Sequence, residues 1–345
     1  MLKLLEGIKI LDLTRLLPGP LCTLYLAELG AEVIKIEPPE GDYVRYIPPK
    51  AKKNSYIFLQ LNHNKKNKTF DLKDPEHRKE FLALVKDAQV VVESFRPGVT
   101  KSLGIDFEAL KNINPSLVYC SITGYGQSGP YRDFAGHDIN YLATSGILEQ
   151  MGNLANFQIA DLAGGSLSAC VGILAALLDS QKNKRAHFID VSMLDCVMGL
   201  NHVALAGYQS GRIDIPLGED LLSGGFPFYG LFTTKDGRQF ALGALEVKFW
   251  KNFCEATNKT EWIKWHSEPQ RNYPRFKSEI AGLFLTRTMR EWEDLLKDKE
   301  CCGSSVLKFS EALMDPQVKS RQMLKEHQTP EDGPFKSYKF PIIIE

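Results

Sequence analysis

The strand–helix–strand opening of the chain constrains its fold more than any other feature. "IKILDLT" (8–14) is an apolar run typical of a buried strand, "LCTLYLAELG" (21–30) has helical apolar spacing and ends at Gly30, and "AEVIKIEPP" (31–39) is a second strand stopped by prolines. A strand, a helix and a strand at this spacing form a βαβ unit, whose strands are parallel. The sequence therefore predicts an α/β fold with a parallel sheet.

The same alternation continues and then changes. The further predicted elements of the first region are helix 74–88, strands 90–94 and 117–123, helices 139–148 and 161–182, strand 187–193 and a helix to about 210. "YGLFTTKDGRQFALGAL" (229–245) then predicts an antiparallel hairpin around Asp236–Gly237. Predicted helices follow at 246–257, 273–285, 288–298 and 310–325, and an extended tail, "YKFPIIIE", comes last.

These patterns predict two domains, in keeping with the 345-residue length. A large domain over 1–200 is completed by 310–345, because we expect the tail to return and pack on it, and a smaller α+β domain covers 215–305. Lys plus Arg equals Asp plus Glu, 42 against 42, so net charge gives no argument for a nucleic-acid or membrane partner, and we expect neither.

The cysteines and the apolar segments suggest a cellular compartment. Seven scattered cysteines without a CxxC pair suit reduced thiols, so we expect a cytoplasmic protein without a disulfide framework or a metal site. The opening "MLKLLEGIKILDLTR" carries charges where a signal peptide needs an apolar core. The longest apolar stretch, 167–178, is expected to be core because it is too short to span a bilayer.

A glycine motif at 124–129 needs a separate judgement. "GYGQSG" fits G-x-G-x-x-G after a predicted strand, which would favour a dinucleotide site. In that fingerprint the third glycine opens a helix, whereas here Pro130 and Tyr131 follow without helical periodicity. We therefore expect these glycines to shape a loop that comes close to a ligand of another kind.

The stretch "AGHDINY" (135–141) places a histidine beside an aspartate directly after a glycine. One interpretation is a loop aspartate that caps the following helix, with His137 packed beneath it. The other is that His137 is one half of a proton-transfer pair, because imidazole changes its charge near neutral pH. The spacing leaves both open.

Asp161 and Glu246 are the other candidates for chemistry. "FQIADLAGGSLSAC" (157–170) makes Asp161 either the N-cap of an apolar helix or a base or nucleophile, beside Gly164–Gly165 that would let a ligand approach. Backbone N–H groups at that helix start would stabilise an oxyanion. Glu246 is either a first-turn glutamate favourable to the helix dipole or a functional carboxylate, and spacing does not show whether the three residues meet.

Several stretches together resemble the family III CoA-transferase (CaiB/BaiF) superfamily, and two of them point to its α-methylacyl-CoA racemase branch. The two are the full "AGHDINY" run and the glutamate of "GALE". The other matching stretches are "LLPGPLCTLYLAELGAEVIKIE", "FRPGV", "GYGQSGP", "ADLAGG", "DVSMLD" and "LSGGFPFYGLF". The likeness covers nearly the whole chain.

This resemblance implies a reaction and a set of roles. Such racemases interconvert the 2R and 2S epimers of 2-methyl-branched acyl-CoA thioesters by two-base proton transfer through an enolate. His137 and Asp161 would flank the α-carbon, and Glu246 would pair with His137. CoA is part of the substrate, and no metal or redox cofactor is implied.

The resemblance also implies how CoA is held and how subunits assemble. The implied CoA-binding residues are Phe70, Asp71, Leu72, Lys73, Ser94, Phe95, Arg96, Lys101, Gly136, Asp138, Ile139, Asn140 and Tyr141. Lysines at 50, 52, 53, 65, 66, 68 and 101 would attract the phosphates, the 50–53 cluster being equally well explained as a solvated loop. The implied architecture is a Rossmann-like large domain in an interlocked homodimer, with each active site between the large domain of one subunit and the small domain of the other.

Three departures from this pattern bear on the site. Pro38 and Ser102 stand where some relatives carry arginines, with Lys101 next to the second position. The connection from His137 to Asp161 is also shorter than in typical relatives, which would alter the acyl channel.

Two rival functions remain open. In a CoA-transferase of the same superfamily the aspartate at position 161 would be a nucleophile that forms an acyl anhydride, and such enzymes generally lack the histidine and the partner glutamate. A CoA-binding protein without chemistry is the other rival.

Overall fold

The computed structural model describes residues 3–345 and divides into two compact units. The large unit comprises the described residues through Leu205 together with Arg321–Glu345, and the small unit is Ala206–Ser320. The chain therefore leaves the large unit after its sheet is complete and returns to it at the end.

A six-stranded sheet, parallel throughout, forms the centre of the large unit. Its strands are β1 Lys9–Leu13, β2 Glu32–Glu37, β3 Lys66–Thr69, β4 Val90–Glu93, β5 Val118–Thr123 and β6 His187–Ser192, in the spatial order β3-β2-β1-β4-β5-β6. This is the order of doubly wound nucleotide-binding sheets. The predicted α/β class and parallel sheet are confirmed. β3 escaped prediction because its sequence, KNKT, is polar and exposed.

Helices cover both faces of this sheet, as a parallel sheet requires. Successive residues of β1 enter opposite cores: Ile10 packs with Leu26 and Ile173, and Leu11 packs with Phe81 and Leu110. The helices of the large unit are α1 Pro18–Glu28, α2 Tyr56–Asn62, α3 Pro75–Val85, α4 Val99–Ser102, α5 Phe107–Lys111, α6 Asp138–Thr144, α7 Ile147–Met151, a π-helix Ile159–Leu167, α8 Ser168–Asn183 and α9 Met193–Met198; α10 His202–Gln209 leads out of the unit.

The π-helix and α8 form one continuous apolar helix, Ile159–Asn183. Its 25 residues and mean hydropathy of 1.7 are sufficient, by length and composition only, to cross a membrane. The expectation that this region is too short to span a bilayer is therefore wrong, because the helix extends at both ends beyond 167–178. Core helices of soluble proteins pass the same test. Ile173 and Leu177 are buried against the sheet, whereas Val171 and Leu178 are exposed, so the expectation that this stretch is core holds for one face only.

An aromatic core holds the small unit together. The hairpin predicted around Asp236–Gly237 is confirmed as β7 Tyr229–Thr233 and β8 Gln239–Gly243, with β9 Gly303–Ser305 pairing on β8. The helices are α11 Val247–Ala256, α12 Tyr273–Phe284, α13 Met289–Leu296, α14 Phe309–Ala312 and α15 Pro316–Ser320, with 3-10 helices at Leu221–Ser223, Thr260–Ser267 and Gln270–Asn272. A further 3-10 helix, Tyr43–Tyr46, belongs to the large unit.

The C-terminal segment differs from the prediction. The helix predicted over 310–325 is wrong: two short helices are followed by an antiparallel hairpin, β10 Leu324–Thr329 and β11 Gly333–Tyr338. Lys325 donates to Glu28 at 3.0 Å, and Phe340 packs edge-on against Tyr25 with ring centroids 5.3 Å apart. The returning segment therefore packs on α1 of the large unit.

Candidate functional site

A cleft of about 530 Å³ opens at the carboxyl ends of the strands in the large unit. Its walls come from the segments that follow β1, β4, β5 and β6. β1 and β4 are neighbours at the point where the strand order reverses. Open α/β sheets bind their ligands at this position, so the cleft is the candidate site.

His137 and Asp161 both line this cleft. They lie 24 positions apart in the sequence, and spacing alone did not show that they share a wall. A common cleft is the condition on which the proton-transfer hypothesis depends, and the structure meets it. Their chemical roles remain predictions.

Asp138 links these two residues. His137 immediately precedes α6 with its side chain exposed, and its backbone N–H donates to Asn140 Oδ1 at 3.0 Å. The Asp138 carboxylate is buried and accepts the backbone N–H of Asp161 at 3.0 Å. The aspartate of the motif therefore fixes the start of the π-helix relative to His137.

Asp161 belongs to the π-helix rather than to a cap. Gln158 occupies the N-cap position, so the N-cap interpretation of Asp161 is wrong. Burial first, and the Asp138 carboxylate second, raise the pKa of Asp161 to about 7. A carboxyl group with this pKa is populated in both protonation states near neutral pH, which suits a group that must act both as acid and as base.

Two expectations about this helix start need correction. The N–H of Asp161 is taken by Asp138, and that of Leu162 donates to the Gln158 carbonyl at 2.9 Å, so neither is available to an oxyanion. Gly164 and Gly165 are buried against α9 rather than open to a ligand. A Cβ on Gly165 would lie 2.9 Å from Met193 Cγ, so these glycines permit close helix packing.

The Tyr141 side chain explains two other glycines. A Cβ on Gly124 or on Gly136 would lie 2.5 or 2.7 Å from the Tyr141 ring. The Tyr141 hydroxyl donates to the Gly136 carbonyl at 2.6 Å and thereby holds the residue that precedes His137. Gly124 opens the "GYGQSG" loop and lines the cleft, as expected for a loop near a ligand, and the next helix in the described chain starts only at Asp138.

The predicted CoA-binding residues fall into two groups. Those that line the cleft are Ser94, Phe95, Arg96, Gly136, Asn140 and Tyr141. Those that lie outside its lining are Phe70, Asp71, Leu72, Lys73, Lys101, Asp138 and Ile139. Phe70 is buried in the core beside α3, and the Asp138 carboxylate accepts the backbone N–H of Asp161.

Lys65 was expected to attract phosphates, and this expectation is wrong. Its side chain is fully buried, and its ammonium group lies 3.0 Å from Asp12 and donates to the Pro20 carbonyl at 2.9 Å. Burial lowers the pKa of Lys65 to about 8, against the opposing effect of Asp12. Lys65 therefore supports the β1–α1 connection from inside.

Several residues that line the cleft were not predicted from the sequence. These include Arg15, Leu16, Pro18, Tyr43, Pro97, Ile122, Thr123, Arg132, Phe134 and Met193. The sequence did contain a signal for Arg15. This residue comes shortly after a buried strand of a parallel sheet, and ligands bind at the carboxyl ends of such strands. No comparable signal marked Arg132 or Phe134, which lie in a loop without periodicity.

Glu246 lies in the small unit, at the N-cap of α11. Its carbonyl accepts the N–H of Trp250 at 3.0 Å, while its exposed side chain makes no capping hydrogen bond. It therefore stands just before the helix rather than within the first turn. Within residues 3–345, no group of three or more His, Cys, Asp or Glu side chains is arranged to hold a metal ion.

Comparison with known proteins agrees with this fold. The model of CoA-transferase family III matches residues 5–344. Human alpha-methylacyl-CoA racemase is 31% identical over 323 residues, which cover 92% of this chain and 81% of the relative. Human succinyl-CoA:glutarate CoA-transferase is 33% identical over 347 residues, covering 96% and 78%.

Solved structures show the same fold. A CaiB/BaiF family protein from Brucella suis superposes with a TM-score of 0.83 at 27% identity, covering 99% of this chain and 92% of that one. Rv3272 from Mycobacterium tuberculosis gives 0.84 at 26% identity, with the same coverage. The fold is that of an acyl-CoA enzyme of the transferase and racemase superfamily. The chain belongs to CoA-transferase family III.

Proposed function

We propose that this protein is a racemase that interconverts the 2R and 2S epimers of 2-methyl-branched acyl-CoA thioesters. The observation that carries the proposal is the shared cleft of His137 and Asp161, in which burial holds the pKa of the carboxyl group at about 7. Relatives named as racemases and as transferases are equally similar, so residue chemistry has to separate the two reactions.

The proposed mechanism uses two groups on opposite faces of the α-carbon. One of them, as the free base, removes the α-proton that the thioester acidifies, and the other, as the acid, delivers a proton to the opposite face. Exchange of their protonation states serves the reverse direction. The thioester carbonyl provides the activation, so we propose a reaction without a metal or a redox cofactor.

A role for Glu246 completes the proposal. His137 needs a partner that fixes its tautomer and favours its charged form. We propose that Glu246 of the partner subunit provides this contact in a homodimer. Support comes from the exposed Glu246 carboxylate, which makes no hydrogen bond to the helix that it precedes.

A family III CoA-transferase is the second candidate. The observation that favours it is that Asp161 lines the cleft, where a carboxylate could attack a thioester and form an anhydride. That mechanism needs an acceptor acid and gives His137 no necessary task. The two functions therefore predict different requirements for the same residues.

Solvent deuterium distinguishes the two reactions. Each epimer in a panel of 2-methylacyl-CoA thioesters of graded chain length is incubated in deuterated buffer without any acceptor acid. We expect inversion with one deuterium incorporated at the α-carbon, measured by mass spectrometry and chiral analysis. His137→Gln and Asp161→Asn should each lower inversion by about 10²–10⁴-fold, because each removes a proton-transfer group.

Matched substitutions outside the cleft control for folding. His202→Gln and Asp87→Asn alter exposed side chains that do not line the cleft, and both should retain wild-type exchange. Acyl transfer that needs an acceptor acid, with no deuterium incorporated, would establish the transferase instead. Binding of acyl-CoA with neither reaction would favour a protein without chemistry.

A further inference from the structure

Arg15 lies in the cleft without an ion-pair partner among residues 3–345. Its backbone N–H donates to Ser94 Oγ at 3.1 Å, and its guanidinium carbon lies 5.6 Å from the centroid of the Phe95 ring. Both contacts are with the segment that follows β4, and both residues line the cleft. The backbone of Arg15 is therefore held by Ser94, its side chain lies against an aromatic ring, and its charge is left for a ligand.

The backbone next to Arg15 is strained. Leu16 has a φ of 63°, in the left-handed region that a bulky residue rarely adopts. Its N–H donates to Asp42 Oδ1 at 3.4 Å, and the carbonyl of Thr14 accepts from Lys35 Nζ at 2.8 Å. Such strain persists where the surroundings enforce it, and it is concentrated at functional sites.

Buried charges beneath the loop enforce this conformation. Lys35 and Asp42 pair at 3.0 Å with side chains 0% and 1% exposed. Asp12, paired with Lys65, also accepts the backbone N–H of Thr14 at 2.9 Å. Ion pairs are costly to bury, and these two pairs and their hydrogen bonds hold both sides of Arg15.

The charge of the cleft indicates the ligand group. Among its described lining residues, Arg15, Arg96 and Arg132 are always cationic, and Asp161 is the acidic residue. A planar guanidinium forms strong paired hydrogen bonds with phosphate. We propose that Arg15 binds a phosphate group of the CoA portion of the substrate and that the Lys35–Asp42 pair positions it. This inference rests on the proposed function only in that the substrate is a CoA thioester.

Titration calorimetry with CoA and with pantetheine, which lacks the phosphates, tests the proposal. For Arg15→Gln we expect the Kd for CoA to rise by about tenfold or more, with weaker salt dependence, because a charge-assisted contact is lost. Pantetheine binding should stay unchanged. Arg15→Lys should be intermediate because it keeps the charge and loses the planar fork. Arg321→Gln, an exposed arginine outside the cleft, should bind as the wild type.

Lys35→Met separates positioning from contact. If the variant unfolds cooperatively, it should show the same loss that is specific for CoA although Arg15 is present. If it does not fold, the Arg15 variants decide alone. Unchanged CoA binding by Arg15→Gln, or an equal loss for pantetheine, would overturn the assignment.

The Kd values for CoA and pantetheine are measured without turnover. A wild type that binds CoA but incorporates no deuterium would refute the racemase and leave the role of Arg15 standing. A racemase whose Arg15→Gln variant binds CoA normally would refute only the present inference.

Discussion

At the residue scale, the protonation of Asp161 is the property most directly linked to activity. Its carboxyl group is part-buried, and the buried Asp138 carboxylate holds its backbone N–H and lies close enough to raise its pKa. Burial and the negative charge of Asp138 both favour the neutral form of the Asp161 carboxyl group. One motif aspartate thus positions the other and adjusts its acidity.

The two epimers should have opposite pH dependence at this group. Where Asp161 acts as the base, the rate of inversion should fall as pH drops through about 7; where it acts as the acid, the rate should fall as pH rises through the same region. Asp138→Asn removes a negative neighbour and lowers the pKa of Asp161. The falling parts of both pH–rate profiles should therefore move to lower pH. Initial rates of deuterium incorporation from pH 5 to pH 9 measure this shift.

A substitution elsewhere controls for this result. Asp87→Asn, on an exposed residue outside the cleft, should leave both profiles in place. If Asp138→Asn is folded and its pH–rate profiles stay where they are in the wild type, another group controls the pH dependence.

At the element scale, the loops that shape the cleft depend on close backbone contacts. Gly124 follows β5, and Gly136 precedes α6, yet both lie against one tyrosine ring. The phenol hydroxyl then fixes the Gly136 carbonyl. Tyr141 therefore joins two loops that neither strand nor helix positions by itself.

Gly124→Ala should be destabilising. Its Cβ would lie 2.5 Å from the Tyr141 ring, and overpacking of this kind typically costs about 1–3 kcal/mol. The rate of deuterium incorporation should also fall in the fraction of the variant that is folded, because displacement of Tyr141 moves the loop that carries His137. Urea unfolding and deuterium incorporation measure the two effects.

Gly282→Ala is the matched control. Gly282 lies inside α12 with nothing within 4 Å of an added Cβ, so alanine should stabilise the protein by about 0.5–1 kcal/mol. Equal stability of Gly124→Ala and the wild type would contradict the role given to Tyr141.

The sequence predicted elements well where burial gives a regular pattern. The strands from β1 to β6 other than β3, the long apolar helix and the small-unit hairpin all follow apolar runs or a clear turn signal. It failed at β3, which is polar, and at 310–325, where local spacing resembled a helix but β10 pairs with β11. Strand pairing is non-local, so a single window of residues does not contain it.

The candidate site was less accessible from sequence than the fold. His137 and Asp161 were identified, but their common cleft depends on which loops the sheet order brings together. The hydrogen bond from Asp161 to Asp138 and the π-helix had no recognisable signal, because each depends on contacts between separate segments.

At the scale of the whole molecule, α8 presents an exposed apolar stripe. Val171 and Leu178 are 69% and 72% exposed, and Leu167 is 43% exposed at the end of the preceding π-helix. Spacings of four and seven residues place these side chains on one helical face. Contiguous exposed apolar surface of this kind indicates an interaction site.

We expect this stripe to be covered by a second copy in a homodimer that resists dilution. Light scattering across a wide concentration range should give twice the chain mass for the wild type. Val171→Lys combined with Leu178→Lys should shift the mass toward the monomer, because two charges would be buried without partners. Leu4→Lys, an exposed leucine outside this helix, is the control and should remain dimeric. A wild type that is monomeric at all concentrations would contradict the assembly.

The return of the C-terminal hairpin has a consequence for how the protein is made. Asp332 accepts hydrogen bonds from Asn54 across 278 positions of the chain, and Lys325 meets Glu28 across 297. A nascent chain that has already produced the whole parallel sheet still lacks these contacts until residues 324–338 have been translated. The Asn54 and Glu28 side chains therefore lack these partners until the C-terminal hairpin has emerged from the ribosome, and during that interval the large unit is incomplete.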